Sequence, residues 1–548
     1  MSIYRYTGIP EFRKILVICC CLLMMSGCGF LDEDPQSGRS EQAVVTSAES
    51  LNNLAVLSLY DHIGSSDEGY GLQGTYRGIY DLQTFASNEA IIPVRGGDWL
   101  DGGLWMDLYH HAWQPDNEVV TNAWIYLYQF VGLCNRSMDM IKTYRSLLTD
   151  EQYTAYTAEV RAIRALCYMY LIDLYARVPI VTTQDISVHD IVQSERSEVF
   201  RFIWDELQQV YAYLPDERSN TRGAYYGRLT RPVAEFMLMK LALNAEIWTD
   251  DTWTDGSQLD GTTILLSCDG TDMNAWQAVC YYGGRISASA ANYDLCESQT
   301  NCFAVYNEDA VENIFTIPMD PAVYRNRFKN HFRSLHYQHA AALGYGGENG
   351  SCATQETLDI FGYGTREQDC RFAPTFFAGV VYINESPLML SNGDTLIYQA
   401  REVQPVLTGS PYIATAGARM RKYAYDPAGI FDGTLRNTDI VLFRYADVLL
   451  MIAEAKVRMG ESGQTDYDRV RIREARALNV GVIQREATLE NIYSERWMEL
   501  MWEGWHRQDM IRFGKYSEDA GSAYLQVFPI PQVALQTNTN LQQNKGYE

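Results

Sequence analysis

The chain is short of positive charge. Its 548 residues carry 44 Lys and Arg against 69 Asp and Glu, a formal net charge of −25 with a pI near 4.8. A polyanionic partner would meet net repulsion, and no basic stripe offsets it, so nucleic acid is excluded as a ligand class. After residue 27 no run approaches the ~18 apolar residues that a spanning helix needs. Metal and catalytic signatures are equally scarce. There is no close CxxC pair, and the spacings among Cys268, Cys280, Cys296 and Cys302 are long for zinc. His110 and His111 are adjacent, so their rings do not converge on one ion unless a loop forces them, and no Glu follows at HExxH spacing. The nearest thing to a catalytic carboxylate pair is Asp98 and Asp101 in GGDWLDGG. Those two side chains serve equally as partners for sugar hydroxyls or as caps for the turns around Gly102-Gly103.

What the chain has in quantity is aromatic surface. It is 47% hydrophobic and 12% aromatic, with 38 Tyr and 11 Trp, which excludes general disorder. Such rings carry polar handles and suit stacking on sugars or peptides, although many must be core. At this length the chain buries a large core, in two to four domains or one extended helical array.

Residues 1–27 read as a targeting segment. Arg5, Arg13 and Lys14 precede an apolar run, Ile15 to Met25, too short to span a bilayer and suited to a signal peptide. Met25-Ser26-Gly27-Cys28 resembles a bacterial lipobox, with Cys28 the lipid-bearing first residue of the mature protein. Residues 28–47 then form an acidic tether. Eight cysteines remain beyond Cys28; Cys134 and Cys167 fall in helical patterns as small buried groups. In an exported chain the Cys268 to Cys302 cluster is expected to hold one or two disulfides.

Apolar periodicity predicts helices over Ala48 to Leu59, Trp124 to Tyr144, Glu151 to Tyr175, Ser197 to Leu214 and Gly227 to Trp248. Proline stops or starts them at Pro179, Pro215 and Pro232. Short joins suggest stacked antiparallel pairs, without the 34-residue tetratricopeptide signature. The region 250–437 reads as irregular and mixed, with short strands at Glu312 to Pro318, Val380 to Ile383 and Thr395 to Tyr398. Helix returns over Asp439 to Met459, Tyr467 to Leu478 and Thr488 to Phe513, the last bent or ended near Gly504. In that last helix Arg496 with Glu499, and Glu503 with Arg507, are spaced to pair along a solvent side. Glu495, Glu499, Arg507 and Asp509 are expected to tie it to its neighbours.

Binding residues are sought in the Gly-rich, ring-studded stretch 64–111 of the unit 48–249, since long loops on a helical body collect them. Trp99 is the leading candidate, a large ring in a glycine-rich loop, with Arg95, Asp98 and Asp101 as orienting polar partners. Tyr76, Trp105 and, in the irregular region, Trp276 complete the set. No cofactor is expected.

Several motifs, in order, resemble the SusD/RagB family of outer-membrane nutrient-uptake lipoproteins: YTAEVRAIRALCYMYLIDLYARVPIVT (156–182), the helix from Glu195-Arg196 to Pro215, YGRLTRPVAEFMLMKLALN (226–244), LFRYADVLLMIAEAKVR (442–458), ERWMELMWEGWHRQDMIRFG (495–514) and IPQVALQTNTNLQQNKGY (530–547). Lys545 stands where the family often has Pro, and residues 250–306 look individual. The resemblance implies a mainly α fold of four tetratricopeptide-like helix pairs with an irregular ligand-binding part. It also implies a non-enzymatic, lipid-anchored protein of the outer membrane. Such a protein captures glycan, or in one branch peptide, for a SusC-like TonB-dependent barrel. A secreted glycan hydrolase is the rival class.

Overall fold

The computed structural model describes residues 41–320, 325–344, 346–428, 437–517 and 519–548. The signal segment and Cys28 lie outside them. The fold is mainly α. Short helices, among them α1 (Ala48–Asn52), α2 (Ile79–Phe85) and α3 (Leu104–Tyr109), punctuate the amino-terminal loops. Four longer ones follow: α4 (Glu118–Thr143), α5 (Asp150–Tyr175), α6 (Arg196–Val210) and α7 (Arg231–Leu243). Thr149 caps α5 by accepting the Gln152 N–H, and Gln152 reaches back to the Thr149 N–H. Pro232 falls in the first turn of α7, where no intrahelical donor is lost. Helix α5 packs between α4 and α6, joined to α4 by a connection too short for anything but an antiparallel return.

Two stretches depart from the periodicity reading. AWQAVCYYGGRISA forms a regular helix, α8 (Ala275–Ala288), inside the region expected to be irregular, and it packs against α7. Gly283 hid it. Glycine weakens a helical pattern, but here a Cβ would lie 2.7 Å from the Ile452 side chain, so the residue permits close approach of α9 (Tyr445–Arg458). Residues 440–444, expected as the start of a helix, are instead a strand. Four strands matter below: β1 (Ala90–Ile91), β2 (Asn313–Ile317), β3 (Cys352–Ala353) and β4 (Ile440–Arg444). IVLF (440–443) is continuous apolar sequence, which does not distinguish helix from strand; antiparallel pairing with the fully buried β2 decides it.

The chain closes with α10 (Gln464–Arg471), α11 (Leu489–Leu500) and α12 (His506–Arg512). Between the last two, Trp502 and Gly504 adopt left-handed φ of 69° and 75°. The charges of α11 do not face solvent as their spacing suggested. Arg496 and Glu499 are fully buried and unpaired with each other: Arg496 bonds Asp447 and Asp509, while Glu499 receives Arg371, Arg444 and Arg473. Glu503 takes Arg444 and Lys422, and Arg507 takes Asp173. The helix is therefore tied to its neighbours by charge, as expected, but through distant partners.

The cysteine expectation fails. Cys268, Cys280, Cys296 and Cys302 are free thiols, as are Cys134 and Cys167, both buried. Cys268 and Cys302 are both buried, Cys268 with its thiol on the Leu266 carbonyl and Cys302 packed within the core beside Cys296. Cys296, Cys302 and Glu312 do approach one another, yet Glu312 is already neutralised by Arg444 and Arg473, which disfavours a cation there. His110-His111 also hold no metal geometry: His111 stacks on Tyr516 at 4.7 Å, faces the Ala86 carbonyl, and burial lowers it to about 4.

Glu89, just before β1, is fully buried and accepts the Trp502 N–H at 3.1 Å. Burial pushes its carboxyl up to about 8. The folded chain therefore holds a proton that an unfolded glutamate loses above about 4.3. This group's contribution is complete below that value and declines as pH rises toward 8. The slope is at most about 1.4 kcal/mol per pH unit. Glu89→Gln, whose amide oxygen still accepts the Trp502 N–H, should gain on the parent progressively between about pH 5 and 8 in urea midpoints. A flat difference across that range would show the carboxyl to be ionised in the fold.

Candidate functional site

A two-residue turn begins the site. Arg95 and Asp98 exchange backbone hydrogen bonds at 3.0 and 3.2 Å, and Gly96 supplies the left-handed φ of 71° that such a turn requires. The chain leaves it with Trp99 and Asp101 also at positive φ, 62° and 38°, followed by Gly102 and Gly103. Non-glycine residues held there carry strain that the surroundings must offset, and such strain gathers at binding sites. The compensation is visible. The Trp99 indole N–H donates to the Glu348 carbonyl at 2.9 Å, and its ring lies so close to Gly350 that a Cβ there would sit 2.6 Å from it. Trp105 meets Trp99 edge-on at 5.9 Å and donates its N–H to Asp101 at 2.6 Å.

The opposite wall comes from far along the chain. Pairing of β1 with β3, Ala90 to Ala353 and Ile91 to Cys352, brings residues 337–350 beside the aromatic loop. Tyr337 then donates its hydroxyl to Asp98 at 2.7 Å, and burial together with Asp98 pushes that phenol up to about 12. Together Glu68, Tyr76, Arg77, Asp98, Trp99, Asp101, Trp105, Tyr337 and Glu348 line a cleft of about 470 Å³. Trp99 is half-buried and Asp98 exposed, whereas Trp105 is fully buried at the base. Tyr76 is buried, with its hydroxyl on the Lys329 carbonyl and the Arg333 guanidinium 4.5 Å from its ring centre. Burial raises the Glu348 carboxyl above its ordinary value.

Of the residues singled out from sequence, Tyr76, Asp98, Trp99, Asp101 and Trp105 converge on this cleft. Two do not. Arg95 is buried behind it, its Nη1 and Nη2 groups held by the Ile413, Gly350 and Ala416 carbonyls. Burial, with Arg419 nearby, lowers its guanidinium to about 9. Trp276 is 1% exposed in the first turn of α8, with Gly261 against its ring and Arg458 4.9 Å from its centre. Its setting among Asp, Asn and Gly hid a core position. Glu68, Arg77, Tyr337 and Glu348 carried no sequence signal pointing here, apart from the position of Glu68 and Arg77 in the 64–111 stretch.

The fold is thus a helical scaffold that carries an aromatic, carboxylate-edged surface cleft. Residues 312–527 match the SusD family model, and residues 30–234 match a second described as "Starch-binding associating with outer membrane". The chain belongs to the SusD/RagB family. It is not an enzyme, as befits a family of non-catalytic binding proteins. It is 22% identical over 562 residues to the starch-binding protein SusD of Bacteroides thetaiotaomicron, covering 94% of each chain. Surface glycan-binding protein A of the same organism, solved with laminarihexaose, superposes with a TM-score of 0.66 at 20% identity, over 91% of this chain and 100% of that one. A SusD superfamily protein of Bacteroides vulgatus gives 0.67 at 18%, over 91% and 99%.

Proposed function

We propose that this protein captures an oligosaccharide or polysaccharide in the cleft around Trp99 and passes it to a SusC-like TonB-dependent outer-membrane barrel. The observation that carries this reading is the convergence of the Trp99 face with Asp98, Asp101, Tyr337 and Glu348 on one open cleft. A half-buried ring held by its own N–H and by Gly350 is an anchor ready to stack on a pyranose, with little ordering cost left on binding. Relatives named for starch and laminari-oligosaccharide binding support a glycan over a peptide. The contacts of α4 with α5, α7 with α8 and α9 with α10 are consistent with the family's tetratricopeptide-like pairs.

The lipobox at Met25–Cys28 supports anchoring at the outer membrane through Cys28. No described helix is long and apolar enough to cross a membrane. The protein would therefore depend on a partner for transport. In cells, Cys28→Ala is expected to leave the outer-membrane fraction. The mature body is expected to bind members of a neutral glycan panel by titration calorimetry and to release no products from them. Binding of peptides with no glycan bound would replace this reading with the peptide-capturing one, and cleavage of a bound glycan would remove it.

A further inference from the structure

The cleft is rich in acceptors and poor in donors. Four carboxylates line it, those of Glu68, Asp98, Asp101 and Glu348, against one cation, Arg77. Arg77 is already committed, forked onto Glu118 at 3.1 and 3.2 Å and 3.6 Å from Asp101. The other cations nearby are also turned away from a ligand. Lys329 pairs with Glu68 at 3.2 Å, and Arg333 is buried on Asp81. Arg95 and Arg419, behind the wall, give their N–H groups to the Gly350, Ala416 and Ser334 carbonyls and to the Asn349 side chain. Part of the carboxylate edge stays accessible. Asp98 is exposed and uses one oxygen on Tyr337, Glu68 is half-exposed beside Lys329, and Asp101, which takes the Trp105 N–H, is 34% exposed at the rim.

We propose that the cleft selects its saccharide by charge, taking neutral and amine-bearing sugars and rejecting uronate or sulfated chains. The inference rests on the glycan-binding reading above. Hydroxyl and ammonium groups are donors, and each finds a carboxylate acceptor here. A sugar carboxylate or sulfate is acceptor-only. It would face oxygens of like charge beside a single lining cation, Arg77, whose Nη1 is held by Glu118 and whose Nη2 lies 3.6 Å from Asp101, in a chain whose formal charge is −25. The aromatic face of Trp99 serves all three classes equally, so the discrimination lies in the carboxylates.

The test compares matched oligomers of β-1,4-linked glucosamine, N-acetylglucosamine, glucose and uronic acid on the mature protein by titration calorimetry. At about 0.01 M salt, where screening reaches only beyond ~30 Å, the amine-bearing oligomer should bind about fivefold tighter than its N-acetyl counterpart. That ratio should approach one near 1 M salt, where the screening length is ~3 Å. The uronate should bind most weakly at low salt and improve as salt rises. Asp98→Asn, at an exposed position, should reduce the amine-to-acetyl ratio without abolishing binding. Uronate binding as tightly as glucose at low salt, or a ratio indifferent to salt and to Asp98→Asn, would overturn charge selection while leaving glycan capture standing. Absence of binding to all four oligomers and to a wider neutral panel would remove the capture reading itself.

Discussion

Replacing Glu499 by Gln is expected to destabilise the protein by about 3–5 kcal/mol, the range for breaking a buried ion pair by removing one partner. The position is fully buried, and its two oxygens receive Arg444 at 3.0 Å, Arg473 at 2.6 Å and Arg371 at 3.0 Å. Those guanidiniums belong to a closed set. Arg371, Arg444, Arg471, Arg473 and Lys422 face Glu312, Asp369, Glu495, Glu499 and Glu503, equal numbers of each sign. Burial alone would raise the Glu499 carboxyl, but Arg473, Arg444 and Arg371 outweigh it and hold it well below the ordinary range. The amide of Gln offers one acceptor and adds donors, leaving three buried cations short of a counter-charge. Denaturant midpoints at unchanged slope measure the loss. The comparison is Asp359→Asn, whose partner Arg401 sits on the surface, expected to change stability by less than about 1 kcal/mol. Equal effects at the two sites would mean that water reaches the lattice.

The same lattice sets the acid limb of stability. Glu454 and Asp447 are held at about 2, as Arg512 and Arg458, and Arg496 and Lys240, outweigh the cost of burial. Folded values below the unfolded ones mean stability present above about pH 4 and lost as pH falls toward 2. Buried His331 and His506, lowered by burial to about 4 and 3, act in the same direction from about pH 6.5 downward. Glu89 opposes them on the alkaline side, so the parent should be most stable between these limbs.

Trp99→Ala is expected to weaken glycan binding by about 2 kcal/mol, roughly 30-fold, as for a central aromatic anchor. The ring is half-buried, pinned to the Glu348 carbonyl and resting on Gly350, so its face is presented in one orientation. Trp99→Phe retains a face but loses the N–H that fixes it, and an intermediate loss is expected. Trp276→Ala supplies the contrast. That ring is enclosed in α8, and its removal should cost about 3–5 kcal/mol of stability through the cavity left behind. Affinity of the folded fraction should then be unchanged. Calorimetry with the tightest glycan of the panel reads the first effect, and thermal unfolding reads the second. Trp99→Ala binding within twofold of the parent would place the site elsewhere on the surface.

Local pattern was enough for much of the scaffold. The apolar stripes of α4 to α7 repeat at helical spacing, and their ends are marked by Pro179, Pro215 and Pro232, signals that act within a few residues. The Gly-rich spacing of Arg95 to Gly103 likewise announced a tight loop bearing an exposed-side ring, and five of the chosen residues do meet in one cleft. Where the decisive contact was distant, pattern misled. The strand at Ile440–Arg444 depends on Asn313–Ile317, the helix at Ala275–Ala288 on the shape of Ile452 against Gly283, and the partners of Glu499 on three separate segments.

The amino-acid sequence by itself determined the charge sign, the helical framework, the lipobox pattern and the ring-rich loop, because each is a property of composition or of neighbours along the chain. Tertiary structure alone decided which rings face solvent, which carboxylates are lattice and which are cleft, and that Tyr337 and Glu348 line that cleft. The physical reason is that burial and charge pairing are set by long-range closure, here the two-residue register of Ala90–Ile91 on Cys352–Ala353, which no local spacing encodes.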